Sequence, residues 1–198
     1  MIFLTKNNFP DQEFSQILQK PFINKELIIG IDCGKCVCNM ASRFRENIYI
    51  GVEIKKHQSQ VAYYKAEEMG LYNVIIVNME ALDFIENHIK DRTLQVIHIY
   101  FPTPYPNALG LKSKLMSRAF VDEAYRVIQP GGSLRFVTDH KKYFNETSRC
   151  FDFNRWCAID WEPLALGQKD GYYVGTNCEV SFREFHQSDI YAFQLIRQ

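Results

Sequence analysis

The chain has 198 residues, which suits one domain with a sizeable core. Hydrophobic residues make up 46% and aromatic residues 14%, and no apolar run reaches the roughly 20 residues of a membrane helix. The 23 basic and 23 acidic residues give a formal net charge of zero, which argues against a protein held on nucleic acid by bulk electrostatics.

Residues 1–25 read as one short helix, Asp11 to Lys20, leading into a sheet. No basic region followed by an apolar stretch opens the chain, so no signal peptide is expected. Six cysteines without an export signal fit reduced thiols and a cytoplasmic protein. Leu27 to Ile31 is a first strand, ending in a glycine-containing turn. Ile48 to Ile54 is a second, with Glu53 near its end. Lys56 to Glu68 mixes polar and apolar residues at helical spacing and closes on Gly70. Asn73 to Val77 is a third strand, rich in β-branched residues. Leu94 to Phe101 is a fourth.

That fourth strand runs into Pro102-Thr103-Pro104-Tyr105-Pro106. Proline has no amide donor and a fixed φ, so the ladder stops and a stiff, aromatic-bearing loop follows. Ser117 to Ile128 is an amphipathic helix, stopped by Pro130-Gly131-Gly132. Ser133 to Thr138 is a fifth strand. Trp156 to Leu166 reads as another strand, Gly167 to Gly175 as a polar loop, Thr176 to Phe185 as a short helix and Ile190 to Ile196 as a final strand. Strands alternating with helices imply parallel βαβ units, hence a doubly wound α/β sheet in a single domain spanning 1–198.

Ligands of such sheets bind beyond the carboxyl ends of the strands. Candidate residues follow from that rule. Gly30-Ile31-Asp32-Cys33-Gly34-Lys35-Cys36 forms a turn whose small residues let the backbone approach a ligand; it also reads as a plain tight connection. Cys33, Cys36 and Cys38 have the spacing of a metal site but lack an evident fourth ligand, and packing of a helix start is the favoured reading. Glu53, at the end of the second strand, suits two hydrogen bonds from ribose hydroxyls. Glu80, with Ala81, either accepts from an adenine amino group or starts the next helix. Thr176-x-x-Glu179 is a capping box and, at an exposed helix start, a polar pair able to meet substrate. From Lys112 to Arg155 nine basic residues face five acids, which suits either a local basic face or a mixed solvated surface.

In this order, the segments resemble the bacterial tRNA (guanine-N7)-methyltransferases. The resemblance runs from about Ile28 to Arg197. Tyr49-Ile50-Gly51-Val52-Glu53-Ile54 is similar to the family's second-strand motif. Asn73 to Ala81 resembles its third-strand segment ending in Asp-Ala, here Glu80-Ala81. Phe101-Pro102-Thr103-Pro104-Tyr105-Pro106 resembles its Phe-x-Asp-Pro-Trp-Pro loop. Pro130-Gly131-Gly132 through Thr138-Asp139 matches its Pro-Gly-Gly…Thr-Asp segment, and Thr176-x-x-Glu179 its Thr-x-x-Glu helix.

The resemblance implies a class I, Rossmann-like methyltransferase fold: a mostly parallel sheet with helices on both faces. It implies S-adenosylmethionine as cofactor and no metal. It assigns cofactor contacts to Gly30, Asp32, Gly34, Glu53, Ile54, Glu80, Ala81, Phe101 and Thr103. Substrate contacts fall to Tyr105, Asn107, Lys112, Asp139, Thr176 and Glu179, and Thr103 and Asp139 occupy the catalytic positions.

The departures are specific. The family's first motif begins with an acid and carries three glycines; here those positions are Gly30, Asp32, Gly34 and Cys36. Asp32 stands two residues late as the replacement acid. The loop aspartate is Thr103 and the tryptophan is Tyr105. Where the family carries a basic run that grips tRNA, this chain reads Asn107-Ala108-Leu109-Gly110-Leu111-Lys112-Ser113-Lys114. Three readings therefore stand: a tRNA guanine methyltransferase with depleted gripping residues, an S-adenosylmethionine-dependent enzyme acting on a small molecule, or a non-catalytic relative. None involves a membrane.

Overall fold

A computed structural model of the chain describes residues 2–7, 9–20, 22–104, 115–159 and 189–198. They fall into two compact units, Met1–Ile89 and Lys90–Gln198. The first unit carries β1 (Ile2–Thr5), α1 (Asp11–Leu18), β2 (Lys25–Ile29), α2 (Lys35–Arg43), β3 (Ile48–Val52), α3 (Lys56–Glu68), β4 (Val74–Asn78) and α4 (Ala81–His88). Its strands run in the order β1-β4-β3-β2, and each neighbouring pair is parallel. Nearly every residue of β2, β3 and β4 is buried. Parallel strands covered on both faces carry continuous apolar runs, and Leu27-Ile28-Ile29 and Val74-Ile75-Ile76-Val77 are such runs.

Close packing dictates two small residues here. A Cβ on Gly51 of β3 would come within 2.9 Å of the Ile31 side chain. A Cβ on Gly34, the N-cap of α2, would lie 2.6 Å from Cβ of Ala62 on α3. One side chain ties the lower end of the unit together. Asn73 is fully buried, and its Nδ2 donates to the carbonyls of Ala41, Phe44 and Asn47 at 3.0, 3.2 and 2.9 Å. Those carbonyls belong to the end of α2 and the turn into β3, so one amide supplies the donors that a helix C-terminus lacks.

The N-terminal lead-in is more than the expected helix. Ile2–Thr5 pairs in parallel with β4, Ile2 opposite Ile75 and Thr5 opposite Asn78. A strand of four residues is too short for its pattern to stand out in the sequence. The helix itself closes at Leu18, with Gln19 as its C-cap.

The second unit carries β5 (Leu94–Tyr100), α5 (Arg118–Val127), β6 (Ile128–Thr138), α6 (Lys141–Ser148), β7 (Trp156–Ile159) and β8 (Tyr191–Arg197). Its order is β5-β6-β8-β7, with β5 and β6 parallel and β8 antiparallel to both of its neighbours. Ser117 caps α5, its Oγ accepting from the Phe120 amide at 3.2 Å. Phe136 of β6 stacks on Phe193 of β8, with ring centroids 5.1 Å apart, and Phe151 meets the same ring edge-on.

One expectation is corrected here. Pro130-Gly131-Gly132 does not separate helix from strand: β6 starts at Ile128 and runs through it. The register shifts within this stretch, Leu94 opposite Ile128 but Val96 opposite Ser133. Proline is tolerated at such a bulge, and glycine is required, because a Cβ on Gly132 would lie 2.6 Å from the Gln95 carbonyl oxygen. α6 was not anticipated, because its polar sequence gives no apolar periodicity. Its signal is local, because Nδ1 of His140 accepts from the Tyr143 amide at 3.1 Å and caps the helix. β7 covers the start of the expected Trp156–Leu166 strand, and β8 the final one. Residues 160–166 of the former, the loop Gly167–Gly175 and the helix Thr176–Phe185 lie outside the described residues. Among the described residues no helix is long and apolar enough to cross a membrane.

Candidate functional site

In the first unit the carboxyl ends of β2 and β3 build a cradle. The chain leaves β2 through three left-handed residues, Gly30 (φ +73°), Asp32 (φ +48°) and Gly34 (φ +81°). Among the described residues nothing lies within 4 Å of where a Gly30 Cβ would stand, so that glycine supplies a left-handed backbone conformation. The Gly30 amide donates to the Val52 carbonyl at 2.8 Å, which holds the turn against the end of β3.

Glu53 follows β3 directly and is only 8% exposed. Its Oε2 accepts from the Asp32 amide at 3.0 Å, and its Oε1 from the Lys55 amide at 2.9 Å. One oxygen therefore faces the turn after β2 and the other the chain leaving β3. Each carboxylate oxygen has two lone-pair sites, so each keeps one for an incoming donor. A vicinal diol brings two such donors. Asn78, the last residue of β4, braces this arrangement: its Nδ2 donates to the Glu53 carbonyl at 2.9 Å and to the Ile54 carbonyl at 3.0 Å. The Ile54 side chain is exposed beside the carboxylate, an apolar surface suited to a flat ring.

Glu80 takes the second of its two expected roles. It caps α4, Oε2 accepting from the Asp83 amide at 2.9 Å, and Ala81 is buried in the first turn. Cys36 and Cys38 are buried in α2. Sγ of Cys36 lies 3.8 Å from Sδ of Met40, and burial pushes the Cys38 thiol up to about 11. Burial and the adjoining Asp32 carboxylate also raise Cys33.

In the second unit, β5 ends at a strained residue. Phe101 has φ +51°, a conformation that bulky side chains avoid and that a following proline disfavours further. Its amide donates to the Val137 carbonyl at 2.8 Å, which fixes the exit of β5 against β6. Strain of this kind, of order 1–3 kcal/mol, clusters where a chain is held for function. Thr103 is exposed two residues on. Asp139 is partly exposed at the end of β6, where the Thr138 hydroxyl accepts from the His140 amide at 3.1 Å.

The structure thus gathers Gly30, Asp32, Gly34, Glu53 and Ile54 around one turn, and it sets Phe101 and Thr103 at the end of β5. Tyr105, Asn107, Lys112, Lys114, Thr176 and Glu179 lie outside the described residues. Sequence reasoning missed Asn78 and the Lys55 amide. The only signal was an asparagine at a strand end, and the hydrogen bonds it makes cross between strands.

Comparison with known proteins bears on this geometry. A family model described as "Putative methyltransferase" matches residues 25–174. A tRNA (guanine-N(7)-)-methyltransferase of Rubrobacter xylanophilus is 27% identical over 87% of this chain and 76% of its own length. Enzymes of the same name from Halorhodospira halophila and Treponema pallidum are each 30% identical, over 59% and 68% of this chain. The chain spans about half the length of these two, 51% and 53%. Among solved structures, TrmN from Thermus thermophilus superposes with a TM-score of 0.62 at 13% identity, over 95% of this chain and 48% of its own. A Streptococcus mutans protein, titled a methyltransferase in complex with SAH, gives 0.60 at 9% identity, over 96% and 99%. These likenesses establish the class I methyltransferase fold. With its family model matched over most of its length, the chain belongs to this methyltransferase family, as a divergent relative of the bacterial tRNA (guanine-N(7)-)-methyltransferases.

Proposed function

We propose that the chain is an S-adenosylmethionine-dependent methyltransferase acting on N7 of a guanine in tRNA, with residues 1–198 as a single catalytic domain. The observation that carries the cofactor is Glu53. Its buried carboxylate is aimed by two backbone amides and retains one acceptor site per oxygen, which fits the two ribose hydroxyls of an adenosyl group. Gly30 lets the backbone turn pass beneath the ligand, and Ile54 offers its apolar face to the adenine. Asp32 contributes its amide to Glu53, and its exposed carboxylate is free to stand in for the displaced acid of the first motif. Glu80, already a helix cap, keeps its second oxygen for an amino group.

The names of the relatives support tRNA over a small molecule as acceptor. When bound, the cofactor supplies an electrophilic methyl group on sulfonium. The guanine N7 lone pair takes that methyl as the S–CH3 bond breaks toward sulfur, and no proton leaves N7. The protein's task is accordingly to align, exclude water and accept hydrogen bonds, and alignment alone is worth several kcal/mol. A neutral Thr103 in place of a loop aspartate suits that demand. Asp139, Tyr105, Asn107, Thr176 and Glu179 orient the base, and Lys112 meets the backbone.

The test is incubation of the protein with an unmodified tRNA transcript and S-adenosylmethionine, followed by mass spectrometry of the nucleosides. Formation of 7-methylguanosine is the expected result. Tight binding of S-adenosylhomocysteine without any methylated nucleoside would reject tRNA as the acceptor while leaving the cofactor reading intact.

A further inference from the structure

The loop that carries the relatives' basic run has few cations here, so contacts to RNA phosphates have to come from elsewhere if the tRNA reading holds. The helix α6 offers them. Lys141, Asn145 and Arg149 recur at i, i+4 and i+8, one face of the helix extended by its C-cap residue, and Lys142 adjoins them. All four are exposed. With Glu146 they line a shallow, open concavity. The stripe is about 12 Å long at the rise of an α-helix. It starts two residues after Asp139, at the carboxyl end of β6.

Stability does not account for these charges. Lysines in the first turn oppose the positive end of the helix dipole, and α6 has no acid in its first turn to offset them. Three other arginines of the unit are paired: Arg118 and Arg155 with Asp122, Arg126 with Asp91 and Glu123. Lys141, Lys142 and Arg149 form no ion pair with any described residue. A row of unpaired cations placed against a helix's own field is suited to an external polyanion, and Asn145 adds a neutral donor for a phosphate oxygen.

We propose that this face of α6 is a phosphate-gripping surface for RNA, placed beside the base-binding end of β6 and offsetting the depleted loop. The inference rests on the tRNA reading above and adds the place of backbone contact.

The experiment compares wild type with the triple variant Lys141→Ala, Lys142→Ala, Arg149→Ala, using an unmodified tRNA transcript over a range of salt concentrations. Three lost phosphate contacts should reduce the slope of log affinity against log salt by about 2 to 3, and weaken binding at low salt on the order of tenfold or more. Affinity for S-adenosylhomocysteine, measured in parallel, should stay unchanged and certifies the fold. A second measurement needs no variant: RNA should slow amide hydrogen exchange across residues 139–150 of the wild-type protein. An unchanged slope with unprotected α6, in a protein that binds the transcript, overturns the surface and leaves the tRNA reading standing. A wild type that binds S-adenosylhomocysteine but no RNA overturns both.

Discussion

Glu53 concentrates the chemistry of the first unit in one side chain. Its carboxylate organises the turn after β2 through the Asp32 amide and keeps acceptor sites for a ligand. Glu53→Ala should weaken S-adenosylhomocysteine binding by roughly 1.5–3 kcal/mol, the usual range for hydrogen bonds to a charged group. Isothermal calorimetry checks this, and an unaltered dissociation constant would remove Glu53 from the site. Asn78 acts one step back. It touches no ligand in this account but holds the carbonyls on either side of the Glu53–Ile54 link. Asn78→Ala should therefore cost binding through misplacement of Glu53, by about 1 kcal/mol, and Asn78→Asp should not restore it, because the carboxylate cannot donate. Calorimetry on both variants separates positioning from mere bulk. Of this pair, Glu53 was legible in the sequence as an acid closing a second parallel strand. Asn78 was not, since its worth depends on the neighbouring strand delivering two carbonyls to it.

Among the elements, the helix ends decide how the first unit closes. Asn73 sits at the foot of β4 and satisfies three carbonyls from the α2–β3 connection, 26 to 32 residues away in sequence. Asn73→Ala takes the buried Ala41 and Asn47 carbonyls' amide donor away, while the Phe44 carbonyl keeps the Asn47 amide. A loss of about 2–3 kcal/mol is expected, read as a lowered urea midpoint with an unchanged slope. A loss under half a kcal/mol would mean water replaces the amide at no cost. The elements visible in the sequence were those with long apolar runs or clear caps: α3 falls at Lys56–Glu68 as its pattern required. β1 and α6 were hidden for opposite reasons. The strand is short and gains its identity only by pairing with β4, while the helix is polar and is announced by a single histidine cap. The β6 bulge escaped because Pro-Gly-Gly is a stop signal locally and becomes strand only through the backbone of β5 alongside it.

At the level of the whole molecule, a chain of zero formal charge has no global electrostatic tendency toward RNA, so the proposed recognition of tRNA rests on local placement of cations. Two buried weak acids, one in each unit, bear on its alkaline stability. Burial raises Cys38 from 9.0 to about 11 and Tyr143 from 10.0 to about 12. Both are neutral when protonated, so the stability tied to them is complete below the unfolded values near 9 and 10. It is lost as pH rises through the folded values. Denaturation midpoints should hold steady up to pH 9 and fall between pH 9 and 12, by on the order of 2–3 kcal/mol per group. Cys38→Ala should remove the earlier part of that fall; a variant with the wild-type profile would clear the thiol of any role.

The sequence by itself determined the alternation of strands and helices, the family, and the acid proposed to anchor the sugar, because apolar runs, breakers and strand ends are local properties of the chain. Only the tertiary structure decided which amides aim Glu53, which glycines have no room for a Cβ, and which cations are left without partners. Each of those depends on what another segment brings alongside, and no single stretch of chain contains that information.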